Sequence, residues 1–98
     1  MIEVAEKDME FIKQVLKKYV PHAEVRAFGS RVDGRAKPYS DLDLAIVTAE
    51  KIDRGVLVKL KEAFQESKLP FRIDIMDWER VSKNFQDIIS MNYVVIQD

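Results

Sequence analysis

The stretch that decides the fold is FGSRVDGRAKPYSDLDLAIV, residues 28–47. Its last part, residues 41–47, alternates between acidic and apolar side chains and then becomes wholly apolar, which predicts a strand that enters a protein core. Successive side chains of a strand point to opposite faces, so Asp41 and Asp43 share one face, with Cα atoms roughly 6.5–7 Å apart. The opposite face is apolar and consists of Leu42, Leu44 and Ile46.

Two carboxylates on one face of a strand repel each other when both are ionised. A divalent cation, a shared proton or exposure to solvent can each satisfy this arrangement, and a divalent cation satisfies it best. Carboxylate oxygens are hard ligands, which favours Mg²⁺ or Mn²⁺. Zinc is disfavoured because the chain has no cysteine and a single histidine, His22. A strand whose first residues are simply solvated is the structural alternative.

The turn that precedes this strand is suited to an anion. Gly29 has no Cβ, so a phosphate can approach the backbone closely, and the Ser30 hydroxyl adds a hydrogen-bond donor. Residues 25–40 carry four cations and one acid, a net charge of +3 in a chain whose overall charge is −1. The cations are Arg26, Arg31, Arg35 and Lys37, of which Arg31 is the best placed for phosphate contact.

The rest of the chain predicts helices and strands that alternate, and therefore an α/β (α+β) domain. A third acid, Asp74, lies in the alternating segment FRIDIMD and joins Asp41 and Asp43 if the two strands are neighbours. The tail YVVIQD fits either a strand or an extension of the last helix. The predicted helices cover residues 6–20, 54–67 (with Asp53 as N-cap) and 79–91, and the predicted strands cover residues 22–28, 41–47 and 71–76.

Composition narrows the class of protein. The 98 residues, 47% apolar and 34% charged, predict one globular domain over residues 1–98. The absence of cysteine excludes disulfides and thiolate sites. No apolar run reaches the roughly 18 residues that cross a bilayer, so we expect a cytoplasmic protein without membrane contact. The net charge of −1 and the lack of an aromatic stacking surface argue against nucleic-acid binding.

These motifs resemble a known family. Gly29-Ser30, ten intervening residues, Asp41-Leu42-Asp43 and a later strand carrying Asp74 are similar to the signature of the DNA polymerase beta nucleotidyltransferase superfamily, and the length is similar to its minimal members, the MntA-like antitoxins of HEPN/MNT pairs. The resemblance implies a palm-like mixed sheet backed by helices. It also implies that Asp41, Asp43 and Asp74 are catalytic and hold Mg²⁺, and that Gly29 and Ser30, with Arg31, bind the nucleotide.

The resemblance further implies a function. Minimal members transfer AMP from ATP to a tyrosine hydroxyl of a HEPN-domain toxin, so the expected activity is Mg²⁺-dependent protein adenylylation that neutralises the toxin. The main alternative is a non-catalytic antitoxin that inhibits its HEPN partner by occlusion. A small hydroxylated acceptor and nucleic-acid tailing are weaker alternatives. The apolar tail is also compatible with a subunit interface, either between two copies of this chain or with another protein.

Overall fold

The computed structural model describes residues 2–98, which form one four-stranded sheet with helices on both faces. The strands are β1 (Glu24–Phe28), β2 (Leu42–Val47), β3 (Ile73–Asp77) and β4 (Val94–Gln97). Their spatial order in the sheet is β3-β2-β1-β4. Strand β1 pairs antiparallel with both β2 and β4, whereas β2 and β3 are parallel.

Local signals in the sequence explain where the helices begin. The helices are α1 (Glu6–Tyr19), α2 (Ser30–Asp33), α3 (Arg54–Gln65) and α4 (Lys83–Met91), with a 3-10 turn at Trp78–Arg80 before α4. Asp53 accepts hydrogen bonds from the backbone N–H groups of Gly55 and Val56 and so caps α3. The Ser82 hydroxyl accepts a hydrogen bond from the N–H of Phe85 and caps α4.

The two faces of the sheet have different cores. Helices α1 and α3 cover the face that bears the apolar side chains of β2, and the main core lies there. Helix α4 covers part of the other face, where Ile89 packs with Phe28 and Ala45. The fully buried members of the main core include Ile12, Leu16, Val25, Leu42, Leu44, Ile46 and Leu60.

The mixed α/β class, the mixed sheet and the helices on its faces confirm the predicted fold. One helix boundary was wrong: the predicted helix over residues 79–91 begins at Lys83, because Ser82 provides the cap and Asp77 accepts a hydrogen bond from the N–H of Glu79 to start a separate turn. The tail forms strand β4, which settles the open choice between helix and strand. No helix within residues 2–98 is long and apolar enough to cross a membrane.

Candidate active site

Strand register brings two of the predicted site carboxylates side by side. Asp43 and Asp74 are direct partners in the parallel pairing of β2 and β3, and neighbouring strands lie about 4.8 Å apart. Asp41 lies one residue before β2, and its Oδ1 is 3.7 Å from Nε of the exposed Arg72. The three acids therefore lie at one end of the sheet, where the two adjacent strands β2 and β3 begin.

Gly29 lies directly against the Asp43 carboxylate. It follows β1, whose last residue Phe28 is paired with Asp43, and it has φ +84° and ψ −160°, a region of backbone space open essentially to glycine alone. A Cβ placed on Gly29 would be 2.2 Å from Oδ2 of Asp43. Glycine is favoured here because the backbone conformation disfavours a side chain and because a Cβ would displace the Asp43 carboxylate. The glycine-serine turn is therefore in direct contact with the acid cluster.

The pKa of Asp43 is shifted by its surroundings in the site. Burial raises the pKa of its carboxyl from 3.8 to about 6, and the negative charges of Asp74 and Asp41 add to the increase. Ionised Asp43 is thus disfavoured in the folded chain without a cation. A positive charge bound between these acids would offset both the loss of hydration and the mutual repulsion.

The donor set fits a hard divalent cation. Within residues 2–98, no three His, Cys, Asp or Glu side chains converge closely enough to form a ligand cage of their own. Mg²⁺ is commonly held by one or two carboxylates together with water and substrate phosphates rather than by an all-protein cage. Adjacent Asp43 and Asp74 with Asp41 nearby, close to a turn that admits a phosphate, are suited to that mode of binding.

Arg31 has a different environment from the one that the sequence suggested. It is 6% exposed, and its guanidinium packs 4.0 Å from the centre of the Phe71 ring. Its donors contact backbone carbonyls, so nucleotide contact would require these hydrogen bonds to break, and we leave Arg31 out of the proposed site. The acceptors are the carbonyls of Glu3 (2.7 Å), Ser40 (2.8 Å), Pro38 (2.9 Å) and Lys37 (3.3 Å).

Other cations of the basic stretch are also engaged. Arg35 pairs with Asp33 at 2.8 Å, and this hydrogen bond lowers the pKa of Asp33. Arg26 contacts Glu24, and its guanidinium carbon is 4.8 Å from the ring centres of both Trp78 and Tyr93. The local charge of +3 counted from the sequence is therefore partly neutralised by nearby partners.

Sequence reasoning missed a buried acid of β3 that supports the site structurally. Asp77 is 3% exposed; its carboxylate accepts hydrogen bonds from Ile52 N–H (3.1 Å) and Glu79 N–H (3.1 Å) and pairs with Arg80 at 2.8 Å. Asp77 ties the start of α3 to β3 and so helps to hold the strand that carries Asp74. The alternation of FRIDIMD was the available signal, because it puts Asp77 on the same face as buried Ile75 and opposite to Asp74.

Comparison with known proteins agrees with this geometry. The model of the family described as polymerase beta, nucleotidyltransferase, matches residues 10–98. The chain belongs to this family. The nucleotidyltransferase domain is also 47% identical, over 99% of its length and 85% of the other chain, to a Haemophilus influenzae protein named "Probable protein adenylyltransferase MntA".

Solved structures share the fold of this nucleotidyltransferase. One chain of a toxin-antitoxin crystal structure with AMP-PNP matches with a TM-score of 0.76 at 21% identity, covering 91% of this chain and 72% of the other. A chain from the complex of a tri-AMPylated Shewanella oneidensis HEPN toxin with its MNT antitoxin matches with a TM-score of 0.70 at 21% identity, covering 93% and 70%. The predicted family and transferase class are confirmed.

Proposed function

We propose that this nucleotidyltransferase transfers AMP from ATP to a hydroxyl, favoured as a tyrosine hydroxyl, of a HEPN-domain toxin and thereby neutralises the toxin. The observation that carries the proposal is the contact of Gly29 with Asp43, beside Asp74. It joins a turn that admits phosphate to a set of carboxylates suited to Mg²⁺. Transfer between a nucleotide and a hydroxyl needs both parts at one place.

In the proposed mechanism, Gly29 and Ser30 bind the triphosphate, and Asp41, Asp43 and Asp74 would hold Mg²⁺, with Mn²⁺ as a substitute. A cation held by these residues would neutralise the charge that develops on the phosphates. Asp74 accepts the proton as the acceptor hydroxyl attacks the α-phosphorus. A bond forms from the acceptor oxygen to this phosphorus, the bond to the β-phosphate bridging oxygen breaks, and pyrophosphate leaves.

Similar proteins support the proposed identities of the transferred nucleotide and of the partner. The Haemophilus influenzae relative carries the name of a protein adenylyltransferase, which specifies AMP as the transferred group and a protein as the acceptor. A structural neighbour is the MNT antitoxin in complex with an AMPylated HEPN toxin. We assign the same type of acceptor and partner to this chain.

The test is mass spectrometry of the cognate HEPN-domain protein after incubation with this chain, ATP and Mg²⁺. We expect the mass of one or more AMP groups on the partner with the natural protein, and none with Asp43→Asn or after chelation of the metal. Asp98→Asn is a matched control, because it removes the same charge at the end of β4, the opposite edge of the sheet. If the partner were inhibited without any added mass, the proposed enzymatic function would be wrong and the non-catalytic antitoxin that acts by occlusion would be favoured.

A further inference from the structure

A groove of about 650 Å³ lies beside the candidate active site, along the outer edge of β3. Phe64, Phe71 and Ile75 contribute apolar surface to it, while Lys61 and Arg72 contribute positive charge. Asp41, which is near Arg72, and Asp74 also line the groove, so the groove is continuous with the acid cluster. Its volume is in the range of ordinary ligand sites. Three successive residues of β3, Ile73, Asp74 and Ile75, line it, which suits an extended polypeptide.

The backbone of β3 is available for pairing on the groove side. Strand β3 is at the edge of the sheet and has a neighbouring strand on one side only. Leu42, which is opposite Ile73, donates its N–H to the carbonyl of Arg72 at 2.9 Å. In a parallel ladder, the residues that flank Ile73 bond to β2, so the N–H and C=O groups of Ile73 and Ile75 point to the outer edge. An unpaired edge of this kind can accept an added strand.

The order of the site along the sheet fixes the side from which the acceptor enters. Gly29 follows β1, Asp43 is on β2 and Asp74 is on β3. Because these strands are neighbours in that order, Asp43 lies between Gly29 and Asp74 across the sheet. If the triphosphate lies at Gly29, pyrophosphate leaves toward the β1 side. The attacking and leaving oxygens are roughly in line at the phosphorus. The acceptor hydroxyl therefore approaches from the β3 side, where the groove lies.

We propose that the groove and the free edge of β3 bind an extended segment of the partner protein by strand addition, with the acceptor hydroxyl over Asp74 and an acidic side chain beside Lys61. The inference rests on the proposed transfer of AMP to a HEPN-domain partner and adds how the acceptor is bound. Backbone pairing supplies affinity that does not depend on sequence, while the charge of Lys61 favours segments with an acid near the acceptor.

Amide hydrogen exchange tests the strand pairing directly and without turnover. We would compare the Asp43→Asn protein alone and in complex with the cognate HEPN-domain protein. Exchange at the amides of Ile73 and Ile75 is expected to slow at least tenfold on binding, because these groups point outward in the free chain. Amides of β4, the other edge of the sheet, serve as the internal control. Slowing confined to β4 or to other surfaces, or no complex at all, would overturn the proposal.

Charge reversal tests the groove through kinetics. Lys61→Glu is expected to raise the KM for the partner about fivefold, the scale of one exposed charge contact, and to leave the KM for ATP within twofold. The matched control is Lys59→Glu, which makes the same change of charge on α3 at an exposed residue that does not line the groove. A raised KM for ATP alone would assign the groove to the nucleotide base and overturn the proposal.

The two experiments separate the failure of this inference from the failure of the proposed function. Protected Ile73 and Ile75 without any AMP transfer would leave the docking edge in place and remove the enzymatic function. Normal AMP transfer with unprotected amides and an unchanged KM in Lys61→Glu would leave the function in place and remove the docking edge.

Discussion

Replacing Gly29 by alanine isolates the contact on which the site depends. The backbone at φ +84° and ψ −160° disfavours any side chain, at about 1–3 kcal/mol. The new Cβ would also be 2.2 Å from Oδ2 of Asp43, and forcing that side chain from its rotamer adds about 1 kcal/mol. We therefore expect the free energy of unfolding to fall by about 2–4 kcal/mol, and Tm by roughly 10–30 °C for a domain of this size.

The matched control is Gly34→Ala. Gly34 also has a positive φ, +87°, but a Cβ there meets no atom within 4 Å. Denaturant unfolding should show a loss of about 1–2 kcal/mol for Gly34→Ala, without any effect on AMP transfer. Gly29→Ala should lose transfer even in the fraction that remains folded, because the Asp43 carboxylate is displaced.

A double-mutant cycle separates backbone strain from the collision. In an Asp43→Ala background, Gly29→Ala should cost about 1 kcal/mol less than in the natural background, because the colliding carboxylate is gone. The reasoning would be refuted if Gly29→Ala cost no more than Gly34→Ala and retained full transfer, or if the cost were the same with and without Asp43.

Two further predictions concern the charges around the site. In a chelating buffer, Asp43→Asn should stabilise the fold at pH 7 by about 1–2 kcal/mol: a pKa raised from 3.8 to about 6 corresponds to roughly 3 kcal/mol, which solvent screening of a partly buried group reduces. Asp43 keeps its proton to a higher pH in the folded chain than in the unfolded chain, so the free energy of unfolding of the natural protein falls as the pH rises from about 4 to 6. Urea unfolding of both proteins across pH 4–8 should therefore show the difference between them disappearing near pH 4. Arg31→Met should lower the free energy of unfolding by about 2–4 kcal/mol, because four backbone carbonyls lose the buried guanidinium that donates to them. Arg31→Lys should recover only part of this loss, and equal stability of all three proteins would contradict the role we assign to Arg31.

The sequence was sufficient to predict that Asp41 and Asp43 share one face. The position of the third acid could not be predicted in the same way, because it depends on tertiary contacts. Alternation placed Asp41 and Asp43 on one face whatever the partner strands were. That Asp74 would lie beside Asp43 required the parallel pairing of β2 and β3, which the helix between them permits but does not impose.

Arg31 shows why the remainder could not be predicted. A cation one residue after a glycine-serine pair is compatible with a phosphate contact or with a structural role. One deciding partner is the carbonyl of Glu3, 28 residues away in the sequence. No local pattern specifies that contact, because the path of the N-terminal segment over α2 is set by packing of the whole domain.

The hydrophobic register of β2 and β3 also fixes the geometry of the site. On the face that carries Asp43 and Asp74, the next residues along the two strands are Ala45 and Met76, which pack with α4. A slip of one residue would turn the acids toward the main core and expose its buried apolar side chains, because side chains alternate with a period of two. Burying an unpaired carboxylate costs several kcal/mol, as does exposing Leu44. The alignment of Asp43 with Asp74 therefore follows from the packing on both faces of the sheet and needs no bond between the two acids, which repel each other.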